Sequence, residues 1–503
     1  MLLPLALLLP AVVPAGETLS PERLRAMSAE RLRSGLELYR EFLSLPNDAN
    51  DAGDILRLID WMEPAFEARG FTIRRLPTAG SPLLFAERRN PVASRTVLVY
   101  LQADGQPVDP AAWSQPDPYT PVLKARRADG EWVALPWDRL DGRIDPDWRV
   151  FARSAADSKG PMTQFLLAMD LLDAAGHAPD FNLKVVVDTE EELGSPHLAD
   201  AVDAQRERLA ADLLLIFDGP PHASNRPTVV FGARGIATVT LTAYGPRVPQ
   251  HSGHYGNWVP NPAFHLARIL GSMKNIDGRV LLPGFYDGVA IDDALKERLA
   301  AVPDDEAALR SALGIAEFEQ LAGSLQEALQ YPSLNIRGLA SAWVGAGART
   351  IIPATATAEL DLRLVEESDP ERLIGLVRAR VAELGYHVTG EAPTEADRRA
   401  HAHIVRFESA VSYGAFRSDF DAAAGRLARA GMRHLYGEEP ILIRTMGGSI
   451  PIAPFVETLG VPAAIVPTVN MDNNQHSPNE NLRIGNFVEG IAILAAVLSR
   501  TPD

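Results

Sequence analysis

Four apolar runs, each closing on polar, metal-capable side chains, constrain this chain more than any other feature. "VLVYLQAD" ends at Gln102 and Asp104, and "LKVVVDTEEELGS" at Glu190, Glu191 and Glu192. "LLLIFDGP" ends at Asp218, and "AAIVPTVNMDNNQHSPNE" leads into Asp472 and His476. Continuous apolar runs suit strands buried on both faces, as in a parallel sheet covered by helices. The stretches "GPMTQFLLAMDLLDAAG" and "SPHLADAVDAQRERLA" between them read as helices. Strand and helix therefore alternate, and an α/β fold with a mostly parallel sheet and helices on both faces follows. In open α/β sheets ligands bind outside the carboxyl ends of the strands. Asp157, in "RSAADSKGPM" just before a helix start, is a fifth contributor beside the four strand ends.

The texture changes near residue 234. "GIATVTLTAYG" and "ATAELDLRLV" alternate apolar with polar residues, as strands with one exposed face do. Helical stretches such as "NPAFHLARILGSM" and "DPERLIGLVRARVAELG" accompany them. This predicts a smaller α+β lid domain over 234–394, inserted into a larger domain formed by 20–233 and 395–503. Ahead of both, "MLLPLALLLPAVVPAGETLS" is too short and too broken by proline to span a bilayer, and Val13-Pro14-Ala15 places small residues where a signal peptide is cut. A signal segment over 1–15 is expected, with the mature protein in the periplasm or outside the cell. No other stretch reads as a membrane span.

Charge and composition narrow the chemistry. A formal net charge of −17 argues against a nucleic-acid binder, which needs a basic face for phosphates. The absence of cysteine excludes disulfides, thiolate metal sites and cysteine nucleophiles. HExxH, GxSxG, a P-loop and a convincing GxGxxG are all missing. Taken singly, the candidate residues have structural explanations: an Asp after a strand forms turns and caps, and glutamates in series suit a helix start. As a set at successive strand ends they point to a metal site.

Asp104, Asp157, Glu191-Glu192, Asp218, "HSGHYGNWVPNP" (251–262), "GGSIP" (447–451) and "HSPNE" (476–480) occur in one order along the chain. That ordered series resembles the dinuclear zinc exopeptidases and amidohydrolases, the family of carboxypeptidase G, acetylornithine deacetylase, succinyl-diaminopimelate desuccinylase, aminoacylase and carnosinase. "PGFYDGV" (283–289), the helical insert after it and "GGSIP" are most similar to the carnosinase-type dipeptidases. The resemblance implies that Asp157 bridges two metals, that Glu192 and His476 complete one site, and that Asp218 and residue 102 serve the other. It makes Glu191 the general base, Asp104 the group that orients residue 102, and His251 a lid residue that stabilises the oxyanion in the partner subunit of a homodimer. Arg363 matches an arginine that binds the substrate carboxylate, and Thr350, Gly448 and Ser449 match substrate contacts. Zinc is the implied metal, one or two per chain, with manganese or cobalt as alternatives.

The departure is Gln102, which stands where the family has a histidine ligand; an amide oxygen is a poorer zinc ligand than imidazole. Three outcomes follow for a chain of this kind: a weak second site, a mononuclear hydrolase, or a binding protein without catalysis. His222, four residues after Asp218, is a candidate substitute ligand. The function expected is metal-dependent hydrolysis of a peptide or amide bond next to a free carboxylate, with a dipeptide or short peptide as substrate. The alternatives are a deacylase of N-acyl amino acids and a non-catalytic peptide-binding dimer.

Overall fold

The computed structural model describes residues 19–502, so the expected signal segment over 1–15 lies outside the described residues. The main sheet has eight strands, in the spatial order Thr72–Leu76, Leu83–Arg88, Asn182–Asp188, Thr96–Gln102, Leu213–Ile216, Ala463–Ile465, Thr228–Val230 and Ile441–Ile443. The four central strands, Asn182–Asp188 to Ala463–Ile465, run parallel, and the first two close one edge antiparallel. The strand Thr96–Gln102 shows why its sequence is apolar throughout. Val97, Val99 and Leu101 pack on one side with the helices Lys159–Ala174 and Ile484–Leu498. Leu98 and Tyr100 pack on the other with Leu198–Ala204 and Ala453–Leu459. Both faces are covered by helices, as the uninterrupted hydrophobicity requires.

The inserted domain is built on Gly232–Tyr244. This strand starts in the main body, pairing with Phe416–Arg417 and Met446–Ser449. From Gly235 onward it enters a second sheet, between Thr355–Leu364 and Ile404–Tyr413. At the crossover the backbones of 413–415 come so close to Gly235 that a Cβ there would lie 2.5 Å from the Gly414 carbonyl carbon, so only glycine fits. Ala237, Val239, Leu241 and Ala243 bury one face of the sheet under Pro262–Gly271 and Pro370–Glu383, and Thr238, Thr240 and Thr242 lie on the other. This is the alternation expected of a sheet with one face packed.

The end of the insert differs from the expectation. Ile404–Tyr413 is a strand of the lid sheet and pairs along its length with Gly232–Tyr244, so the lid reaches Tyr413 and does not stop at 394. The reason is in the pairing: its outer half, "ESAVSY", is held by backbone hydrogen bonds rather than by a continuous apolar face, and the sequence gives little sign of it. The expected helix "SPHLADAVDAQRERLA" is also broken, at Gln205. Among the described residues no helix is long and apolar enough to cross a membrane.

Candidate metal and substrate site

The loops that follow the four central parallel strands meet at one edge of the sheet. Asp157, Glu192 and His476 each offer a ligand atom there, all within 4.8 Å of one another. His476 Nε2 lies 2.9 Å from Asp157 Oδ2 and 3.3 Å from Glu192 Oε2. The two carboxylates are buried, while the His476 side chain is half exposed and forms the open side of the group.

Each ligand is held from behind. Glu480, 1% exposed, accepts from the backbone N–H groups of Ser154, Ala156 and Asp157 and from Arg153 Nη1, all at 2.9 Å. One buried carboxylate thus fixes the loop that carries Asp157. The Asp104 carboxylate accepts from the Glu192 N–H at 2.9 Å, and Gln106 Nε2 donates to Glu192 Oε2 at 2.8 Å. Asp188 closes the glutamate loop by accepting from the Tyr100 and Ser195 hydroxyls and from the N–H groups of Thr189 and Glu190. Glu190 points out of the site, to the Ser81 N–H and His197 Nδ1.

The acids crowd one another. Burial first, then Asp157 and Glu192, push the Glu191 carboxyl well above the usual range. Burial and Asp157 raise Glu192 to about 8 and Asp218 to about 7. The hydrogen bond to Asp157 raises His476 to about 9. Buried acids with a single imidazole as positive partner are the environment in which a divalent cation relieves the desolvation of charge. One imidazole nitrogen and two carboxylate oxygens with an open side also match the three-protein-ligand set of catalytic zinc. Asp157, Glu192 and His476 therefore fit a metal ion.

The second expected set does not. Gln102, 2% exposed, donates its Nε2–H to Asp157 Oδ1 at 2.8 Å and offers that carboxylate a proton rather than sharing a cation with it. Ser158 Oγ lies 3.0 Å from the same Oδ1 and 2.6 Å from Asp218 Oδ1, so a hydroxyl joins the two acids. Asp104 binds the Glu192 backbone and makes no hydrogen bond to Gln102 among the described residues; the expectation that it orients residue 102 is replaced by a role in holding the Glu191–Glu192 loop. His222 is no substitute ligand. It is 5% exposed, and its ring nitrogens meet Ser224 Oγ at 2.9 Å and Asp304 Oδ1, in the helical insert, at 3.0 Å. Asp472 pairs with Arg149 Nη2 at 2.6 Å and shapes the loop before His476.

A second cluster faces Glu191 from the lid. Arg363 and Tyr413 both lie opposite Ile236, on the two strands flanking it, which puts them on one face of the sheet. Arg363 Nη1 donates to Ser449 Oγ at 2.7 Å, with the Tyr413 phenol near the same serine. Burial, then the nearby Glu191, raises the Tyr413 phenol to about 12. Arg234 stands beside them, lowered to about 10 by burial and then by Arg363. Gly448 lies next to Ser449 in the same short strand. His251 and Thr350 sit together on an exposed part of the lid, where the His251 backbone pairs with Ile351 and the Thr350 carbonyl accepts from Ser252. Among the described residues no contact within one chain joins them to the acidic group. Sequence reading missed Glu480, Asp188, Tyr413 and Arg234. Glu480 alone had a signal, as the last residue of "HSPNE".

The chain is similar to known proteins. The profile of peptidase family M20/M25/M40 matches residues 124–500. The Cys-Gly metallodipeptidase dug1 of Schizosaccharomyces pombe is 27% identical over 422 residues, covering 82% of this chain and 81% of that protein. The beta-Ala-His dipeptidase of Homo sapiens is 25% identical over 425 residues, covering 82% of this chain and 76% of that protein. The solved structure of the M20 family metallo-carboxypeptidase Sso-CP2 from Sulfolobus solfataricus superposes with a TM-score of 0.76 at 27% identity, covering 92% of this chain and 98% of the other.

Proposed function

The chain belongs to peptidase family M20/M25/M40 and is a hydrolase acting on peptide bonds, and on that premise we propose that it is a metal-dependent dipeptidase with Glu191 as its general base. The observation that carries the reading is the convergence of Asp157, Glu192 and His476 beside Glu191, a half-buried side chain with no hydrogen bond among the described residues. Those three residues would hold the metal, zinc by first choice. When bound, the cation supplies Lewis acidity, polarising the scissile carbonyl and easing deprotonation of water. Glu191 takes the proton of the attacking water and passes it to the leaving amine.

Arg363, braced by Ser449, binds the carboxylate of the substrate through its guanidinium fork. That contact explains a preference for short peptides with a free C-terminus over internal bonds. Thr350 and Gly448 belong to the same reading as contributors to the substrate pocket. His251, exposed on the lid, acts in the partner's site of a homodimer, stabilising the oxyanion. The lid surface favours such a pairing: Trp258, Phe264, Leu339 and Val344 are exposed large apolar residues, with Trp258 at 85%. The apolar, proline-broken run that ends in Val13-Pro14-Ala15 supports export as part of the same reading.

A panel of dipeptides and N-acetylated amino acids, assayed with and without a chelator, tests the reading. Dipeptide cleavage that stops on chelation and returns with zinc supports it. Cleavage of the acylated compounds alone would make the protein a deacylase. Binding of peptides without turnover at any metal concentration would sink the hydrolase mechanism.

A further inference from the structure

We propose that this protein works with one metal ion per chain, and that the Gln102 amide together with the Ser158 hydroxyl takes the place of a second. The inference rests on the dipeptidase reading and concerns the make-up of the same site.

The argument starts from the two oxygens of Asp157. Oδ2 faces His476 at 2.9 Å and Gln475 Nε2 at 3.3 Å, toward Glu192. Oδ1 faces away from that group and meets Gln102 Nε2 at 2.8 Å and Ser158 Oγ at 3.0 Å. A carboxylate that bridges two cations must present a lone pair to each. Here the lone pairs of Oδ1 are directed at an amide N–H and a hydroxyl. The amide nitrogen has no lone pair to give a metal. Turning the amide over would give up the Nε2 bond to Asp157 and set Gln102 Oε1 beside Asp157 Oδ1, and an amide oxygen is a poorer zinc ligand than imidazole. Gln102 Oε1 has no hydrogen-bond partner among the described residues, but using it as a ligand costs the Nε2 bond to Asp157.

The remaining groups do not rebuild the second site. Asp218 is tied to Asp157 through Ser158, whose Oγ is 2.6 Å from Asp218 Oδ1. His222 is engaged by Asp304 and Ser224. The backbone that carries Asp157 is held in place, because Glu480 accepts from the N–H groups of Ser154, Ala156 and Asp157. This leaves the second position two carboxylates, one of them already shared, against the three protein ligands of a usual catalytic zinc. The Asp157–Glu192–His476 group has its three.

The test is a metal count on the full-length protein, stripped with chelator, incubated with excess zinc alone, desalted and measured by elemental mass spectrometry. Wild type is expected to hold about one zinc per chain and Gln102→His about two. Asp218→Asn keeps the count and zinc affinity of the wild type if one site exists, and this variant decides the matter should Gln102→His fold poorly. Two zinc ions in wild type, falling to one in Asp218→Asn, would overturn the inference and leave the dipeptidase reading standing. One zinc in both wild type and a folded Gln102→His would remove Gln102 as the cause and overturn the assignment to it. No zinc in wild type, with peptide cleavage indifferent to chelator, would overturn this inference and the metallopeptidase reading together.

Discussion

Replacing Glu480 with glutamine tests whether a buried carboxylate positions the metal loop. Glu480 accepts three backbone N–H bonds and one guanidinium bond, two donors at each oxygen: Arg153 and Ser154 at Oε2, Ala156 and Asp157 at Oε1. Glutamine keeps one acceptor oxygen and turns the other into an NH2 that faces two donors. Two bonds to a charged acceptor are lost, each about 1.5–3 kcal/mol. Arg153, 3% exposed, loses its buried counter-charge, and breaking such a pair costs about 3–5 kcal/mol. The two costs share one bond, so a total of about 3–5 kcal/mol is expected rather than their sum. The assay is urea unfolding of the zinc-free protein at pH 8, above the value of about 7 to which burial raises Glu480, so that the carboxylate is ionised. Zinc affinity is measured beside it. Because either orientation of the amide releases at least one backbone N–H of the loop that carries Asp157, affinity should fall about tenfold or more, equivalent to about 1.4 kcal/mol. A variant within about 1 kcal/mol of wild type and with unchanged zinc affinity would refute the role given to Glu480.

Four further outcomes are expected. Glu191→Gln should lower kcat by about 10²–10⁴ while zinc binding persists, read by steady-state kinetics and metal count; loss of zinc instead would make Glu191 a ligand. Arg363→Ala should raise KM for free dipeptides and leave peptide amides, which lack the terminal carboxylate, nearly unaffected; an equal effect on both would refute the carboxylate contact. In the metal-free protein Glu192, Asp218 and His476 all have folded pKa values above their ordinary ones, at about 8, 7 and 9. The folded state therefore binds more protons than the unfolded one, and its stability is greatest below the ordinary values and falls as pH rises from about 4 to 9. Thermal unfolding should show a zinc-induced gain in Tm that is larger at pH 8 than at pH 6, and a gain that shrinks with pH would contradict these shifts. His251→Ala should reduce kcat in a protein that sediments as a dimer; full activity in a monomer would remove the partner-subunit role.

The sequence determined the fold class and the neighbourhood of the chemistry. Continuous apolar runs forced strands covered on both faces, and parallel order brought their carboxyl ends to one edge, so Asp104, Glu191, Glu192, Asp218 and His476 were legible as a group before any coordinates. The alternating strands of the lid were legible for the same reason, since burial of one face leaves a period of two. What the sequence could not determine was the direction of each polar group. Glu190, Glu191 and Glu192 are identical neighbours in the chain. The turn after Asp188 aims the first at His197, leaves the second side chain without a hydrogen bond among the described residues and sends the third to His476. Tyr413 and Arg363, fifty residues apart, meet across Ile236 because register sets cross-strand partners, and register depends on pairing between distant segments. Gln102 carries the same lesson at atomic scale. Its identity marked a departure, but only packing of its strand end against the Asp157 loop decided that its N–H, and not its oxygen, faces the carboxylate. Hydrophobic pattern is local and can be read along the chain, whereas hydrogen-bond direction is fixed only when remote backbones close around a side chain.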